Sequence, residues 1–518
     1  MNRIIPLLSC TLLFAINCFA AVYYIDYENG KDSNNGSSKS TAWQRCPGMA
    51  GFAGSYSYAP GDIFIFKGGV TWPATTLPLT IPFSGIANAP IQYTTDHGWH
   101  AGKTWSQPIL DGQGNAESFF KAQQKSYFVI NDLHMINAGV AFPSESRWRA
   151  DNAKEWNVGL RFISSDHFSI TNNTIASERW HGIRIYFLAA KTTYREIEIA
   201  HNGLSHHGIG ITVSVEYPGT ILHGLSIHDN RIHDHASQLI DNDLVHGDGI
   251  NIFKGSGVSN SDSSSYISAP RIYNNIFYGD WTGIGNPPSG VTALIYFYGG
   301  AVRNALIYNN AGFPSAGAFS RWIFFEDFGV GGGHQIFNNS FHRHQSVVAY
   351  TGIESSLSFN LAIKNNIISN LTNVAYIFNN TIGHNIDNNC VTTSGDVIAN
   401  WNGIYKTWPE WQALGNDGHG TNQEPRFVSS SDLRLSAASP EVCKYGGANL
   451  AAIFSTDQNN HLRPTAAVGA ASDGVGQNSK ASLNGWSLGA YQTAPEDGQR
   501  INPASPNPPT RAEVVNKP

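Results

Sequence analysis

Cysteine is scarce in this chain of 518 residues, and charged side chains make up only 14% of it. Beyond the first twenty residues there are three cysteines, Cys46, Cys390 and Cys443, widely separated in the sequence. This spacing fits neither a disulfide framework nor a zinc motif, although a pair between Cys390 and Cys443 stays open. The formal net charge is −6 and no basic run is present, so we expect no nucleic-acid partner.

A long apolar run is also lacking. The first twenty residues combine Arg3, a short apolar stretch and small residues ending at Ala20, which is typical of a signal peptide. The stretch is too short to remain in a bilayer as a membrane span. We therefore expect residues 1–20 to be removed, the mature chain to be secreted or periplasmic, and no membrane partner.

Glycine and asparagine, by contrast, are abundant, and one short pattern recurs along the chain. It consists of an aliphatic residue, two intervening residues, an asparagine and a polar–apolar pair. Its asparagines are Asn173, Asn202, Asn230, Asn275, Asn310, Asn339, Asn366 and Asn389. Apolar residues that alternate with period two indicate a short strand with one buried face. Asparagine suits sharp corners, so we interpret these eight residues as structural.

A second set of strands follows the pattern x-Gly-aliphatic-x-aliphatic. Its members begin at Val158, His181, His207, Asp248 and Thr282, and each precedes a copy of the asparagine pattern. Two strand sets in phase predict an all-β fold, a right-handed parallel β-helix built as a solenoid of three-strand coils with N- and C-terminal caps. A β-sandwich with Asn-rich turns is the less favoured alternative.

The boundaries of this solenoid are visible as shifts in composition. We assign residues 21–110 to an N-terminal cap and first coils, 111–399 to the β-helix core, 400–494 to a C-terminal closing region, and 495–518 to a disordered tail. In the cap, Asp26, Asn29 and Asp32 are candidates either for calcium ligands or for plain Asx turns.

The coil motifs and both ends of the chain carry a resemblance to a known family. Together with Tyr23-Tyr-Ile-Asp near the start and Pro425-Arg-Phe near the end, the repeats resemble the pectate-lyase-like superfamily. Its members are mostly extracellular polysaccharide lyases, glycoside hydrolases and uronan epimerases, with some phage tailspikes and adhesins. The resemblance implies the architecture and a carbohydrate substrate, but it does not select one reaction.

One segment is similar to the calcium-dependent pectate lyases that use a lysine base. Asp248-Gly-Ile-Asn-Ile-Phe-Lys254, preceded by Asp241 and Asp243, is similar to their Asp-Gly-x-x-x-Lys segment within an aspartate cluster. The resemblance implies calcium at Asp241, Asp243 and Asp248 and a catalytic role for Lys254. Here the lysine comes one residue later, which turns it to the other face of an unbroken strand.

The second strand set also predicts a site. The residue between its aliphatic positions faces outward. This places Arg161, Arg184, Gly210 and Asn251 on successive rungs, where a rung is the strand that one coil contributes to the ladder. The residue before each glycine places His181, His207 and Asp248 on consecutive rungs. Arginines bind carboxylates, and Asp248 beside His207 would orient that imidazole.

Aromatic and loop residues complete the predicted site. Trp180 and Trp281 flank the face and suit sugar stacking. The loop from His233 to His246 is rich in histidine and aspartate, which can bind calcium through carboxylates or a transition metal through imidazoles. The simpler alternatives are a solvated ladder of polar residues and a structural calcium site.

Three functions are compatible with these residues. The first is a polysaccharide lyase acting on a uronate-containing glycan by β-elimination, with His207 or His246 (less favourably Lys254) as base and a tyrosine such as Tyr296, or water, as acid. The second is a glycoside hydrolase that pairs Asp248 with Asp241, Asp243 or Asp280, with Glu326 expected to lie too far along the coil. The third is a non-catalytic, glycan-binding solenoid. In each case we expect a polysaccharide partner and a monomer.

Overall fold

The computed structural model of the protein describes residues 20–139, 158–176, 181–235, 247–281, 291–464 and 486–493. Its regular structure is almost entirely β, arranged as three ladders of parallel strands that wind around one interior. This arrangement confirms the predicted right-handed parallel β-helix. Among the described residues, no helix is both long and apolar enough to cross a membrane.

The first ladder carries the asparagine pattern. Its strands are Val22–Ile25, Ile63–Gly68, Ile91–His100, Ser126–Asn131, Asp166–Thr171, Thr193–Ala200, Ile221–His228, Arg271–Tyr273, Leu306–Tyr308, Gln335–Phe337, Ala362–Lys364 and Asn385–Asp387, with Tyr266–Ser268 and Val302–Arg303 beside them. Inward residues stack in register, as Ile170, Ile199 and Ile227 do. All three are fully buried, because alternate residues of each strand point into the interior.

The second and third ladders close each coil. The second contains Thr71–Trp72, Ile109–Asp111, His134–Ile136, Thr174–Ala176, Gly203–Ser205, Arg231–His233, Ile276–Trp281, Ser340–His342, Ile367–Leu371 and Cys390–Thr393. The third contains Leu79–Thr80, Phe120–Gln123, Val158–Ile163, His181–Phe187, Ile209–Val215, Gly247–Lys254, Val291–Tyr298, Val347–Ser356, Val374–Asn379 and Val397–Trp401. The long strand Ala311–Glu326 belongs to both, since it pairs with Ile276–Trp281 and with Val291–Tyr298.

The repeated asparagines form a continuous hydrogen-bonded ladder inside the corner after the first strand set. Asn202 is representative: its Oδ1 accepts the backbone N–H of Asn173 at 3.0 Å and the Nδ2 of Asn173 at 3.1 Å. Its own Nδ2 donates to the carbonyl of Ile170 at 2.8 Å. The ladder ends where Asn389 donates to the carboxylate of Asp417. The structural role predicted for these residues is therefore confirmed.

The residue before each ladder asparagine, and Asp132 before Leu133 at the equivalent position one coil earlier, adopts the left-handed conformation and forms the corner itself. We call these the corner residues: Asp132, Asn172, His201, Asp229, Asn274, Asn309, Asn338, Asn365 and Asn388. Their φ angles lie between 52° and 62°. Asparagine predominates because, among residues with a Cβ, it tolerates this conformation well.

The N-terminal cap includes the short 3-10 helices Lys39–Thr41 and Ala74–Thr76. The Asp26 carboxylate accepts hydrogen bonds from the backbone N–H groups of Glu28 and Asn29, and it forms an ion pair with Lys67 at 2.7 Å. Asp32 pairs with Arg45 at 2.9 Å. Each carboxylate thus already has its own cationic partner, which favours the Asx-turn interpretation over a calcium site.

The C-terminal region closes the last coil and then packs along its side. Strand Ile404–Thr407 pairs antiparallel with the last ladder strand, and helix Trp408–Ala413 follows it. A hairpin of Phe427–Ser429 and Asp432–Leu435 precedes helix Glu441–Tyr445. Arg463 is buried against the coils and donates to Asn309 Oδ1 at 3.0 Å. Cys390 and Cys443 share a buried cluster as free thiols.

Candidate active site

Glycines set the direction of the outward side chains on the third ladder. A Cβ added at Gly182 would point into the interior, 3.0 Å from Leu204 Cδ2 and 2.7 Å from the carbonyl oxygen of Gly210. The next residue, Ile183, is also buried in the interior. Because two successive residues turn inward, His181 and Arg184 lie on the outward side although they are three positions apart.

The register of this ladder corrects the predicted site. His181 lies opposite Ile209, and Ile209 lies opposite Asp248. The prediction that His181, His207 and Asp248 occupy consecutive rungs is therefore wrong, and Thr212 rather than Gly210 follows Arg184. The physical reason is that this coil contains the x-Gly-aliphatic pattern twice in succession, and only the second copy, which starts at Ile209, enters the ladder.

Three cationic side chains lie on consecutive rungs of the outward face. Lys121 is opposite Arg161, and Arg161 is opposite Arg184, so neighbours are about 4.8 Å apart along the coil axis. The Arg161 Nε donates to the hydroxyl of Tyr186 at 2.7 Å, and the Arg184 guanidinium lies 5.0 Å from the centre of the same ring. We call Lys121, Arg161 and Arg184 the basic column.

Sequence reasoning missed Lys121 because its coil lacks the glycine of the motif. The available signal was the alternation of Phe120, Lys121 and Ala122, which matches Leu160, Arg161 and Phe162 one coil later. The ammonium group pairs with Glu117. Burial, followed by the positive charge of Arg161, lowers the pKa of Lys121 to about 8. Its position therefore adds a third cation to the predicted pair of arginines.

His181 lies beside the basic column and is almost fully buried. Its Nδ1 is 2.7 Å from the Thr212 hydroxyl, one rung further along. Burial, with the nearby charge of Arg184, holds the pKa of His181 well below its usual range. The imidazole is therefore neutral at neutral pH, and the same burial makes it a weak base.

Asp248 and Asn251 occupy the outward side two rungs beyond Arg184. The Asp248 Oδ2 accepts from Asn251 Nδ2 at 2.9 Å, and its Oδ1 accepts from the backbone N–H of Ala293 at 3.0 Å. Burial raises the pKa of Asp248 well above the ordinary aspartate value, although both hydrogen bonds act in the opposite direction. The Asn251 Oδ1 is buried without a hydrogen-bonding partner among the described residues.

Tyr296 and Glu326 extend the site by one and two further rungs, respectively. Tyr296 lies opposite Asn251 and donates its hydroxyl proton to Glu326 Oε2. Burial and this carboxylate raise the pKa of the phenol, and Asp248 contributes in the same direction. Glu326 was expected to lie beyond reach of Asp248, and this stays a prediction: Glu326 contacts Tyr296, on which the charge of Asp248 also acts.

Two further predicted residues lie in the interior. His207 is fully buried, its ring centre 6.0 Å from that of His235, and neither nitrogen has a partner among the described residues. Burial, followed by the charge of His235, lowers its pKa to about 3. Trp281 stacks on His235 with only 1% of its surface exposed, so it has no face available to a sugar.

Lys254 does not share the outward face with Asn251. Its buried Nζ donates to the carbonyl of Asp262 at 2.6 Å and thereby holds the serine-rich loop against the coil. Burial lowers its pKa to about 8. Relative to the Asp-Gly-x-x-x-Lys segment, the one extra residue before Lys254 therefore turns the lysine side chain to the other face of the strand, as expected. Trp180, Asp241, Asp243 and His246 fall outside the described residues.

Comparison with family models and with curated proteins found no match. Among solved structures, the chain is similar to a GH136 lacto-N-biosidase from Eubacterium ramulus, with 14% identity over 70% of this chain and 65% of that one and a TM-score of 0.44. It thus spans just under two thirds of that protein's length. Pectate lyase Pel9A is 14% identical over 92% of this chain and 96% of that one, with a TM-score of 0.41.

The PL6 family polysaccharide lyase Pedsa3628 from Pseudopedobacter saltans is 13% identical over 74% of this chain and 94% of that one, with a TM-score of 0.33. These proteins are right-handed β-helices, and the same architecture in this chain is established by its own strand pairing. Identities and TM-scores this low support no conclusion about activity. The function is therefore argued from this chain's own residues.

Proposed function

We propose that the chain is a secreted polysaccharide lyase that cleaves a uronate-containing glycan by β-elimination. The observation that carries this proposal is the basic column of Lys121, Arg161 and Arg184 beside the neutral imidazole of His181. A glycan laid across the rungs would present its carboxylates to successive cations. Charge-assisted hydrogen bonds from arginine are among the strongest contacts a carboxylate can receive.

The elimination requires three groups near one sugar. Arg161 and Arg184 neutralise the uronate carboxylate, which makes the proton on C5 more acidic. His181 accepts that proton, and its basicity rises when the bound carboxylate neutralises Arg184, whose charge otherwise lowers the pKa of His181 together with burial. The leaving oxygen takes a proton from water or from Tyr186, whose ring contacts both arginines.

Tyr296 is a poor choice for the acid in this reaction. Two rungs, those of Thr212 and Asn251, separate it from Arg184, which corresponds to about 14 Å along the coil axis. A sugar held at Arg184 would therefore have its leaving oxygen out of reach of that phenol.

Calcium remains part of the proposal as a second source of positive charge. The buried, unpartnered Asn251 Oδ1 and the Asp248 carboxylate are oxygen donors of the kind calcium prefers. Asp241 and Asp243 would supply further oxygens. Bound there, the ion would neutralise a sugar carboxylate two rungs from Arg184.

The test is incubation of the mature protein with a panel of acidic and neutral polysaccharides, with calcium and then with chelator. Ultraviolet absorbance of unsaturated ends and release of reducing ends are followed together. A lyase raises both signals on a uronan, and loss of both with chelator assigns a role to the metal. Reducing ends without unsaturated ends, or silence in both, would overturn the lyase proposal.

A glycoside hydrolase is the second candidate, because one observation favours it. Asp248 has a raised pKa, which suits a general acid, and Glu326, the hydrogen-bond partner of Tyr296, offers a second carboxyl group on the same face. This reading predicts reducing ends without a double bond and the loss of activity in both Asp248→Asn and Glu326→Gln. Affinity for a glycan with no product in either assay would indicate a binding solenoid.

A further inference from the structure

A second cluster of chemically active side chains lies on the first ladder, away from the basic column. One ligand atom from each of His201, His228 and Asp229 falls within 4.8 Å of the other two. Glu198 adjoins them, with its Oε1 3.3 Å from His228 Nε2. The cluster therefore combines two imidazoles with two carboxylates on two neighbouring coils, and the proposed elimination uses none of them.

The backbone does not require these residue types. His201 and Asp229 are corner residues, with φ angles of 57° and 54°, and asparagine fills six of the other seven described corners. Asparagine would meet the same conformational demand with less strain than histidine. The substitution of two adjacent corners by metal-ligating residues therefore needs another explanation.

The surrounding contacts hold the ligands in place. The ring of His228 stacks on Tyr273 with centres 4.5 Å apart and a 7° interplanar angle, which fixes its orientation. Asn274 Nδ2 donates to Asp229 Oδ1 at 3.2 Å, so that the other carboxylate oxygen turns towards His228 Nδ1, 2.8 Å away. Outer contacts of this kind orient ligands in metal sites.

We infer that His201, His228 and Asp229 bind one divalent transition-metal ion of the zinc class, with Glu198 or water as the fourth ligand. Zinc bonded at about 2.0–2.1 Å keeps tetrahedral ligands roughly 3.3 Å apart. The ligand atoms lie within 4.8 Å of one another in the present structure, so metal binding requires a small movement, for which the exposed His201 side chain is suited. Imidazole ligands favour zinc, nickel or copper over calcium and magnesium.

The test is calorimetric titration of the chelator-treated mature chain with zinc chloride. We expect one site per chain, with affinity at least tenfold weaker in His201→Asn. That variant places asparagine where most other coils already have it, and its melting temperature without metal checks that it folds. The matched control is His97→Asn, which removes a histidine paired with the corner residue Asp132 at 2.6 Å but leaves the cluster intact.

Each outcome decides the question. Saturable binding that is lost in His201→Asn and kept in His97→Asn supports the site. Absence of saturable zinc binding in the wild-type chain overturns it, and so does binding that His201→Asn leaves unchanged. Because the readout is heat of binding, the result is independent of whether the chain proves to be a lyase.

Discussion

The carboxylate of Asp248 accepts a hydrogen bond from the side-chain amide of Asn251, three residues further along the same strand, at 2.9 Å. In a regular strand, residues three apart point to opposite faces. The contact exists because Gly249 and Ile250 both turn inward between them. The same local bend, repeated from coil to coil, gathers the polar side chains of the candidate site on one face.

Removal of the Asp248 charge should change how stability depends on pH. Because the folded-state pKa of Asp248 is raised, the native protein binds a proton that the unfolded chain has already released, and stability falls as pH rises from about 4 towards the native pKa. Asp248→Asn should show a shallower decline in the free energy of unfolding. Urea denaturation at intervals between pH 4 and 8 measures this decline. Asp417, whose pKa is raised to about 6, is present in both proteins and therefore does not account for a difference between them. Equal slopes for the two proteins would contradict the account.

The arginines of the basic column should govern substrate affinity. Arg184→Ala removes a charge-assisted contact to carboxylate, and we expect a rise in KM of tenfold or more, which corresponds to about 1.5–3 kcal/mol. Steady-state kinetics on the cleaved uronan measure this. Arg195→Ala is the matched control, because Arg195 is exposed on the first ladder. Equal KM values for the two variants would remove the basic column from the binding site.

The asparagine ladder should be a major source of stability. In Asn275→Ala, the backbone N–H of Asn230 and the side chain of Asn230 lose their acceptor, and both groups stay buried. We expect a loss of about 2–4 kcal/mol in the free energy of unfolding. The control is Asn385→Ala at an exposed position of the first ladder, where a change within about 0.5 kcal/mol is expected. A loss of similar size at both positions would argue against a special role for the ladder.

A methyl group at the inward glycines should disturb the site through the backbone. A Cβ at Gly210 would lie 2.6 Å from the carbonyl oxygen of Gly249 and 3.1 Å from Ile232 Cγ2. We expect Gly210→Ala to cost about 1–3 kcal/mol and to lower activity, since the strand that carries Thr212 would shift. Gly203→Ala is the control, because nothing lies within 4 Å of its added Cβ. Thermal denaturation and product assays compare the pair.

The coil architecture could be predicted from the sequence because the features that produce it lie within single strands. Alternating apolar residues and corner asparagines are readable one strand at a time, and Asn202 and Arg161 lie where the patterns predicted. The register between coils is not local. His207 was misplaced because two overlapping copies of one motif compete in its coil, and only packing against Gly182 and Gly249 selects the second.

The sequence also did not indicate which of the candidate site residues have buried side chains. Trp281 and Lys254 have the residue types of a sugar-binding or catalytic group, but one packs in the interior and the other holds a loop. Glu326 was expected to lie too far along the coil, and its contact with Tyr296 could not be read from the sequence. Lys121 was overlooked because its strand lacks the glycine that identified its neighbours.

The central claim is that the basic column recognises the carboxylate of a uronate that then undergoes elimination. The most direct test compares the initial rate of unsaturated-product formation on the cleaved uronan with the rate of cleavage of the same polymer after its carboxylates have been reduced to alcohols. The account predicts rapid cleavage of the acid form and none of the reduced form. Cleavage of both forms at similar rates would contradict it and would favour hydrolysis around Asp248 and Glu326.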